Sequence, residues 1–417
     1  MKILKNPQSL KLEAHLYGEL KFWRILENLR YTAKEEGLRR FKESLIAYST
    51  DLGGLIAGLI VFLQLKVFLS EPWIVMLYPI MMTLRGNVGE IFSARLSTSL
   101  NLGYIRPSFR RNTPLFMILL SAINSVSLLL SFISGLVVFF VQTVIVGFKP
   151  WLLGIILLTS ISTQTFSMST AIPITCILGF MGFKRKIDPD VILYPIMSTV
   201  TDILESLTYI IVITAVKTPI GLITISSICI VFSSVILILI REYGKDVEFV
   251  TSIKQVLVSL LLSLLIGWLS GLALSNVKSK LEEYPGIMII YPAIIDTIGD
   301  FGVSIGSILT TRLAEGSISP KLSPSLLELY EIIQMWFSAL LYFIIYAYIA
   351  FLNGFQNVGM IIVCFILSSP AILLICKLSA IGVFKRNLDP DNFVIPLETT
   401  FSDFLGTLLL SIFLGIV

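Results

Sequence analysis

Charged residues are scarce in this sequence. Asp, Glu, Lys and Arg make up only 14% of the 417 residues and 55% are hydrophobic, whereas about 25% of an ordinary soluble domain is charged. Apolar windows recur from Ile46 to Val417, and a helix needs about 20 mostly apolar residues to cross a membrane. The composition excludes a large soluble domain and predicts an integral membrane protein.

Histidine and cysteine are also rare. The one histidine, His15, lies in a polar N-terminal segment, which argues against catalysis or zinc binding that depends on histidine. The four cysteines fall inside apolar windows, and their spacings match no thiolate metal site and no disulfide framework. We interpret them as small core residues: Cys176, Cys229, Cys364 and Cys376.

The first 45 residues form a polar segment with charges of both signs. It lacks the short apolar core of a signal peptide, so we expect it to stay in the protein. Leucines recur there at near-helical spacing, at Leu12, Leu16, Leu20 and Leu26. This pattern predicts an amphipathic helix on the cytoplasmic membrane surface. A helix packed on the cytoplasmic ends of the bundle is the alternative.

The chain contains an internal duplication. The segment LYPIMMTLRGNVGEIFSARLSTSLNLG, ending at Gly103, aligns without a gap with IYPAIIDTIGDFGVSIGSILTTRLAEG, ending at Gly316. Further on, FKRKIDPDVILYPIMSTVTD at 183–202 aligns with FKRNLDPDNFVIPLETTFSD at 384–403. Two independent pairs in the same order indicate two copies of one unit.

Hydrophobic patterning predicts about eleven transmembrane helices in an all-α polytopic protein. Five belong to each repeat, at about 46–69, 74–103, 114–147, 151–182 and 191–216, and at about 253–275, 286–313, 325–353, 357–383 and 392–416. Five helices alone would invert the second copy, but a linker helix at 218–240 makes the two repeats parallel. The predicted divisions are 1–45, a cytoplasmic segment; 46–216, the first repeat; 217–250, the linker; and 251–417, the second repeat.

The basic loops predict the orientation in the cell membrane. Lys and Arg accumulate in cytoplasmic loops, and with the N-terminus inside the basic loops fall on one side, at 106–111, 184–186, 241–245 and 385–386. Most loops on the opposite side carry little charge, and only 276–286, with two lysines and two glutamates, blurs the pattern. We therefore predict a cytoplasmic N-terminus and an outside C-terminus.

Two aspartates lie at the same depth in the last helix of each repeat. Asp202 and Asp403 are both about eleven residues from the cytoplasmic end of their helix, near the middle of a hydrocarbon core about 30 Å thick. A carboxylate there costs about 2.5–3.5 kcal/mol on insertion scales and usually marks an ion path or a proton relay. This pair is the strongest functional signal in the sequence.

Polar residues surround each aspartate at helical spacing. The two stripes are Pro195, Ser198, Thr199, Asp202, Glu205 and Ser206, and Pro396, Thr399, Thr400, Asp403, Gly406 and Thr407. Carboxylate, hydroxyl and carbonyl oxygens are the ligands that hard divalent cations prefer. A buried polar network that holds two helices together is the alternative, but paired aspartates without a basic partner in the stripe would repel each other.

The second helix of each repeat adds polar residues near a proline. They are Arg85, Gly86, Asn87, Gly89, Glu90 and Arg95, and Asp296, Gly299, Asp300 and Gly302. The glycines predict a broken or closely packed helix, and Asn87 and Asp300 occupy matched positions where both can face a pore. The alternative is small-residue helix packing with Arg85 paired to Glu90.

These motifs resemble a known family. The pattern Pro-x-x-Ser/Thr-Thr-x-x-Asp after a basic loop with Asp188-Pro189 or Asp389-Pro390 resembles the final pore helix of the MgtE magnesium channels. The run from Gly86 to Glu90 and on through Arg95-Leu96-Ser97-Thr98 is similar to the signature of the eukaryotic solute carrier family 41. The resemblance covers nearly everything after residue 45.

The resemblance implies a fused pseudo-dimer of two five-helix units in one chain, with the pore on the pseudo-twofold axis. Asp202 and Asp403 would form the central acidic pair, and Ser198 and Thr399 would offer backbone carbonyls to a largely hydrated Mg2+. The 45 N-terminal residues leave no room for the cytoplasmic Mg2+-sensing and CBS domains of MgtE, so we expect no feedback gating by that route. Asp300 replaces the usual Asn, which bears on metal selectivity.

Three functions fit these observations. The first is passive transport of a divalent cation, Mg2+ with Mn2+ or Co2+ as alternatives, by a protein that is not an enzyme. The second is exchange coupled to Na+ or H+, with Glu90, Glu205, Asp296 and Asp300 serving the second ion. The third is an intramembrane Mg2+-dependent enzyme acting on lipid phosphates.

Overall fold

The computed structural model describes residues 36–185, 189–314, 316–386 and 390–416. Within these residues the chain consists of helices and connecting turns and has no strand, which confirms the predicted all-α polytopic fold. The predicted amphipathic helix around Leu12 to Leu26, with His15, lies outside the described residues. So do Asp188 and Asp389 of the two basic loops.

Long helices follow one another through both halves of the chain. The first half contains α1 (36–48), α2 (Gly54–Leu63), α3 (Leu65–Phe68), α4 (Pro72–Asn101), α5 (Pro114–Val146), α6 (Pro150–Lys184), α7 (Pro189–Ala215) and α8 (Pro219–Tyr243). The second half contains α9 (Val247–Asn276), α10 (Lys278–Glu283), α11 (Ile287–Ala314), α12 (Leu326–Leu352), α13 (Gly359–Lys385) and α14 (Pro390–Ile416). Proline begins α4, α5, α6 and α8, because its fixed φ suits the first turn and its missing N–H leaves no intrahelical bond unmade.

Nine helices in the described part of the chain are long and apolar enough to cross a membrane, when α1 and α2 are taken as the single stretch Glu36–Leu63. The long helices α4 and α9 are not among these nine, so the eleven transmembrane helices that the sequence predicts stay a prediction. Helix α4 is the less apolar of the two because it carries Arg85, Glu90 and Arg95. Most of its residues are buried inside the bundle, Arg85 among them, and Glu90 and Arg95 are partly buried.

The first predicted transmembrane helix differs from the structure in where it begins and in being interrupted. The helix predicted over 46–69 is already helical at residue 36 and breaks at a 3-10 turn, Thr50–Gly53. Two adjacent glycines, Gly53 and Gly54, end the turn, and glycine is a weak helix former. The break buries Asp51, an acid in the middle of an apolar run.

The two repeats pack through matched glycines. Helix α2 crosses α11, where a Cβ on Gly58 would lie 2.2 Å from the backbone oxygen of Ile289. Helix α9 crosses α4 in the same way, where a Cβ on Gly271 would lie 2.2 Å from the backbone oxygen of Met76. Small residues allow such close helix approach in membranes. The first helix of each repeat therefore packs on the second helix of the other, which ties the two copies together.

The linker helix α8 lies on the outside of the first repeat. It contacts α5, α6 and α7, and only 17% of its most apolar window is buried. Helices α4, α7, α11 and α14 form the interior instead. This arrangement brings the last helix of each repeat beside the second helix of its own repeat.

Candidate metal centre

A small cavity of about 40 Å³ lies between α4, α7, α11 and α14. Both predicted aspartates line it, Asp202 from the first repeat and Asp403 from the second. Six other predicted site residues also line it: Asn87, Glu90, Ser198, Asp296, Asp300 and Thr399. The structure thus brings most of the predicted metal ligands to one place.

Arg85 of α4 engages Asp202. Its guanidinium donates from Nη2 to Oδ1 of Asp202 and from Nη1 to the hydroxyl of Thr201. Nη1 also lies 3.5 Å from the backbone oxygen of Ser198. Arg85 and Asp202 are both buried, with Asp202 only 1% exposed. The alternative in which Arg85 pairs with Glu90 is therefore not what the structure shows.

Asp403 has different surroundings. Its Oδ2 accepts a hydrogen bond from the hydroxyl of Thr83 at 3.0 Å, and its side chain is less buried than that of Asp202. The repeat alignment places Ile298 where the first repeat has Arg85. The carboxylate of Asp403 therefore accepts a hydrogen bond from a neutral hydroxyl, whereas the carboxylate of Asp202 accepts one from a guanidinium.

Asn87 links the two repeats at the cavity. Its amide donates to the hydroxyl of Thr400 at 3.0 Å, and its carbonyl oxygen accepts from the hydroxyl of Thr399 at 3.2 Å. Asn87 lies on α4 and both threonines lie on α14. The amide therefore joins the second helix of one copy to the last helix of the other.

The donor set around the cavity consists mainly of oxygen atoms. Carboxylates, hydroxyls, an amide and a backbone carbonyl suit a hard cation. Within the described residues, no group of three or more His, Cys, Asp and Glu side chains is placed to hold a metal ion.

A comparison with family models decides the class of the protein. The model of the MgtE divalent cation transporters matches residues 78–212 and 291–413, together more than half of the chain. The chain belongs to the MgtE divalent cation transporter family. Its two matched segments fall one in each repeat, which supports the internal duplication. Nothing matches among the curated proteins or among the solved structures.

Membership of the MgtE family shows that the chain is a transporter and not an enzyme. The hypothesis of an intramembrane lipid-phosphate enzyme is thereby set aside. The four cysteines, which the sequence suggests are core residues, are free and buried. Among the described residues, none of them belongs to a cluster of His, Cys, Asp and Glu large enough to hold a metal.

Glycines keep the cavity of this MgtE protein open. A Cβ on Gly86, Gly89 or Gly299 would meet no atom within 4 Å, so these positions border open space. At Gly302 a Cβ would lie 2.9 Å from Ile372, so the predicted close packing is found at this glycine. The predicted alternative of a broken helix is wrong, because α4 and α11 are continuous through the glycines.

Three predicted ligands lie beside the cavity rather than on it. The hydroxyl of Thr199 donates to the backbone oxygen of Thr50 at 2.8 Å, which fixes α7 to the 3-10 turn. Thr400 binds Asn87, as described above. Glu205 is fully buried next to Ser167 of α6.

Two buried acids of the MgtE fold were missed in the sequence. Asp51, in the 3-10 turn, is 3% exposed and lies against Thr297 and Asp300 of α11. Glu398 of α14 accepts a hydrogen bond from Ser379 at 3.1 Å and packs on α11. Both interrupt apolar stretches of the sequence, and that interruption was the available signal.

Matched tyrosines pack between the two repeats of the MgtE bundle. Tyr78 and Ser206 share a hydrogen bond of 2.8 Å in the first repeat, and Tyr291 and Thr407 share one of 2.9 Å in the second. The two rings pack with centroids 6.4 Å apart. The same hydrogen bond at equivalent positions indicates that both copies use one internal scaffold.

Proposed function

We propose that this protein carries Mg2+ across the membrane through the central cavity, with Asp202 and Asp403 as a pair of carboxylates that receive the ion. The observation that carries the proposal is that each repeat places one such aspartate on the same oxygen-lined cavity. Ser198 and Thr399, the residues expected to offer carbonyls, line it as well.

Charge supports the proposal. Among the described residues that line the cavity, five are acidic, namely Glu90, Asp202, Asp296, Asp300 and Asp403, and one is basic, Arg85. Acidic residues gathered in a membrane interior mark paths for cations. A divalent ion offsets this excess of negative charge better than a monovalent one.

Hydration supports Mg2+ in particular. Mg2+ sheds its water reluctantly and is usually held by one or two carboxylates and several waters. Two carboxylates with surrounding hydroxyl and amide groups can bind such an ion through its water shell. Mn2+ and Co2+ have similar ligand preferences, so we propose them as further substrates.

The proposal includes an orientation and an assembly. The repeats, 46–216 and 251–417, run parallel and are joined by the linker at 217–250, with residues 1–45 and the N-terminus cytoplasmic and the C-terminus outside. The two copies form a pseudo-dimer in one chain, surrounded by lipid, and the protein works as a single chain. Crossed packing of α2 on α11 and of α9 on α4 supports this arrangement.

A coupled exchanger is the second candidate. Glu90, Asp296 and Asp300 line the same cavity as the aspartate pair, so a second cation can bind next to the first. In such a mechanism Na+ or H+ would move against the divalent ion. Flux that follows an imposed Na+ or H+ gradient, beyond the effect of voltage, would favour exchange over passive transport.

Flux into liposomes tests the proposal. The protein is reconstituted, and uptake of Mg2+, Mn2+, Co2+ and Ca2+ is followed for the native chain and for Asp202→Ala with Asp403→Ala. We expect the double variant to lose Mg2+ flux, and Glu282→Gln, which removes an exposed acid on α10, to retain it. Mg2+ flux at the native rate in the double variant would rule out the aspartate pair as the site.

A further inference from the structure

Arg85 contacts groups of the first repeat that are proposed to receive the transported ion. Its guanidinium contacts the carboxylate of Asp202 and approaches the backbone oxygen of Ser198. These are two of the groups proposed to receive the ion. Because the guanidinium is buried with Asp202, it neutralises that carboxylate when no ion is bound.

The arrangement of Arg85 is not repeated in the second copy. The aligned residue is Ile298, and Asp403 accepts a hydrogen bond from the neutral hydroxyl of Thr83. The ion pair of Arg85 with Asp202 is therefore not part of the packing that both copies share. The two carboxylates on the cavity therefore differ: Asp202 is paired with the guanidinium of Arg85, and Asp403 accepts a hydrogen bond from a neutral hydroxyl.

A second acid, Glu90, lies near the guanidinium of Arg85. Glu90 lies on the same helix, and its Oε2 has no hydrogen-bond partner among the described residues. A second cavity, of about 30 Å³, is lined by Arg85, Glu90, Ser198 and Thr201 together. This space adjoins the guanidinium and offers it a position away from Asp202.

We propose that Arg85 is a tethered counter-cation that competes with the transported divalent ion for Asp202. An arriving ion displaces the guanidinium from Asp202 toward Glu90, and the returning guanidinium expels the ion. Arg85 thereby weakens binding and speeds release. This inference rests on the proposed function, since it assumes that Asp202 and Asp403 receive the ion.

Binding of Mn2+ tests the inference. The full chain is placed in nanodiscs, and free Mn2+ is measured by electron paramagnetic resonance for the native protein and for Arg85→Met. We expect Arg85→Met to bind Mn2+ about tenfold or more tightly, the factor that one charge-assisted hydrogen bond is worth. Equal or weaker binding in Arg85→Met would overturn the inference.

Ile298→Met is the matched control, because it places the same side chain at the aligned position without changing charge. We expect its Mn2+ affinity to stay near that of the native protein. Tightening equal to that of Arg85→Met would show that packing, not charge, sets the affinity, and would also overturn the inference.

A second variant covers the case in which Arg85→Met does not fold. Thr201→Val removes one hydrogen bond that holds the guanidinium and keeps every charge. We expect tighter Mn2+ binding by a smaller factor than in Arg85→Met, and unchanged or weaker binding contradicts the inference.

Measurements of Mn2+ transport distinguish competition by Arg85 from a purely structural role of this residue. In liposomes, Arg85→Met should lower both the maximal Mn2+ flux and the Mn2+ concentration at half-maximal flux, because a tightly held ion leaves slowly. A structural defect lowers the maximal flux without lowering the half-maximal concentration, and that result would contradict the inference.

The site itself is tested apart from Arg85. Asp202→Asn with Asp403→Asn should lose Mn2+ binding; if it binds like the native chain, the proposed site fails. If the double variant loses binding while Arg85→Met binds no more tightly than the native chain, the inference on Arg85 fails and the proposed site stands.

Discussion

The two repeats share one scaffold but place different charges on it. On α4 the first repeat carries Arg85 and Glu90, whereas the aligned residues on α11 are Ile298 and Val303. The close contacts of Gly58 and Gly271 and the tyrosine hydrogen bonds are nevertheless the same in both copies. Duplication within one chain therefore allows the copies to keep their packing while the groups around the cavity diverge.

The second repeat carries acids where the first is neutral. Asp296 and Asp300 align with Thr83 and Asn87, and all four line the cavity. Among the described residues that line the cavity, the first copy thus supplies two acids together with a cation, and the second supplies three acids and no cation. A homodimer of identical units could not separate these two roles, and the fused chain can.

The largest expected difference between the repeats is in stability. Asp202→Asn leaves the buried guanidinium of Arg85 without its carboxylate, so we expect a loss of about 3–5 kcal/mol. Asp403→Asn keeps an amide oxygen that can still accept from the neutral hydroxyl of Thr83, so we expect a loss of at most about 1 kcal/mol. Thermal unfolding of the two purified variants in detergent measures the difference. Equal losses would show that the two aspartates have equivalent surroundings.

Substitution of the matched packing glycines should lower the stability of the protein equally in both repeats. Gly58→Leu and Gly271→Leu each force a side chain onto a backbone oxygen of the facing helix, and we expect each to cost about 1–3 kcal/mol. Gly86→Ala, where a Cβ meets open space, should preserve stability but reduce flux by filling the cavity. Chemical unfolding of the three variants gives the comparison. A large loss of stability in only one of Gly58→Leu and Gly271→Leu would argue against matched packing at the two helix crossings.

The smallest expected effect concerns the matched tyrosines. Tyr78→Phe and Tyr291→Phe each remove one buried hydrogen bond, so each should lower stability by about 1 kcal/mol. Their double variant should lose about the sum of the two single losses, unless the packed rings couple them. A loss of stability in only one of the two single variants would contradict the shared scaffold.

Much of the fold follows from local patterns in the sequence. Apolar length predicts the long helices, and the aligned segments predict the duplication because they are visible without any tertiary information. The aspartate pair follows from depth along two aligned helices. The matched positions of Asn87 and Asp300 in the repeats likewise predict that both face the pore.

Contacts between distant helices did not follow from those patterns. The partner of Arg85 is Asp202 on another helix, and the helical spacing that suggested Glu90 carries no information about that neighbour. The 3-10 turn at Asp51 depends on how α2 packs against α11. The glycine pairs on α2 and α9 lie at the spacing that separates the two repeats, and they could have extended the alignment to the first helices.

Manganese in the cavity is the most direct test of the central claim. Crystals of the full chain are soaked in Mn2+, and anomalous diffraction is collected near the manganese absorption edge. The account predicts a peak in the cavity lined by Asp202 and Asp403. A Mn2+ peak elsewhere, such as beside Glu398 and Ser379, with none between the two aspartates would contradict it.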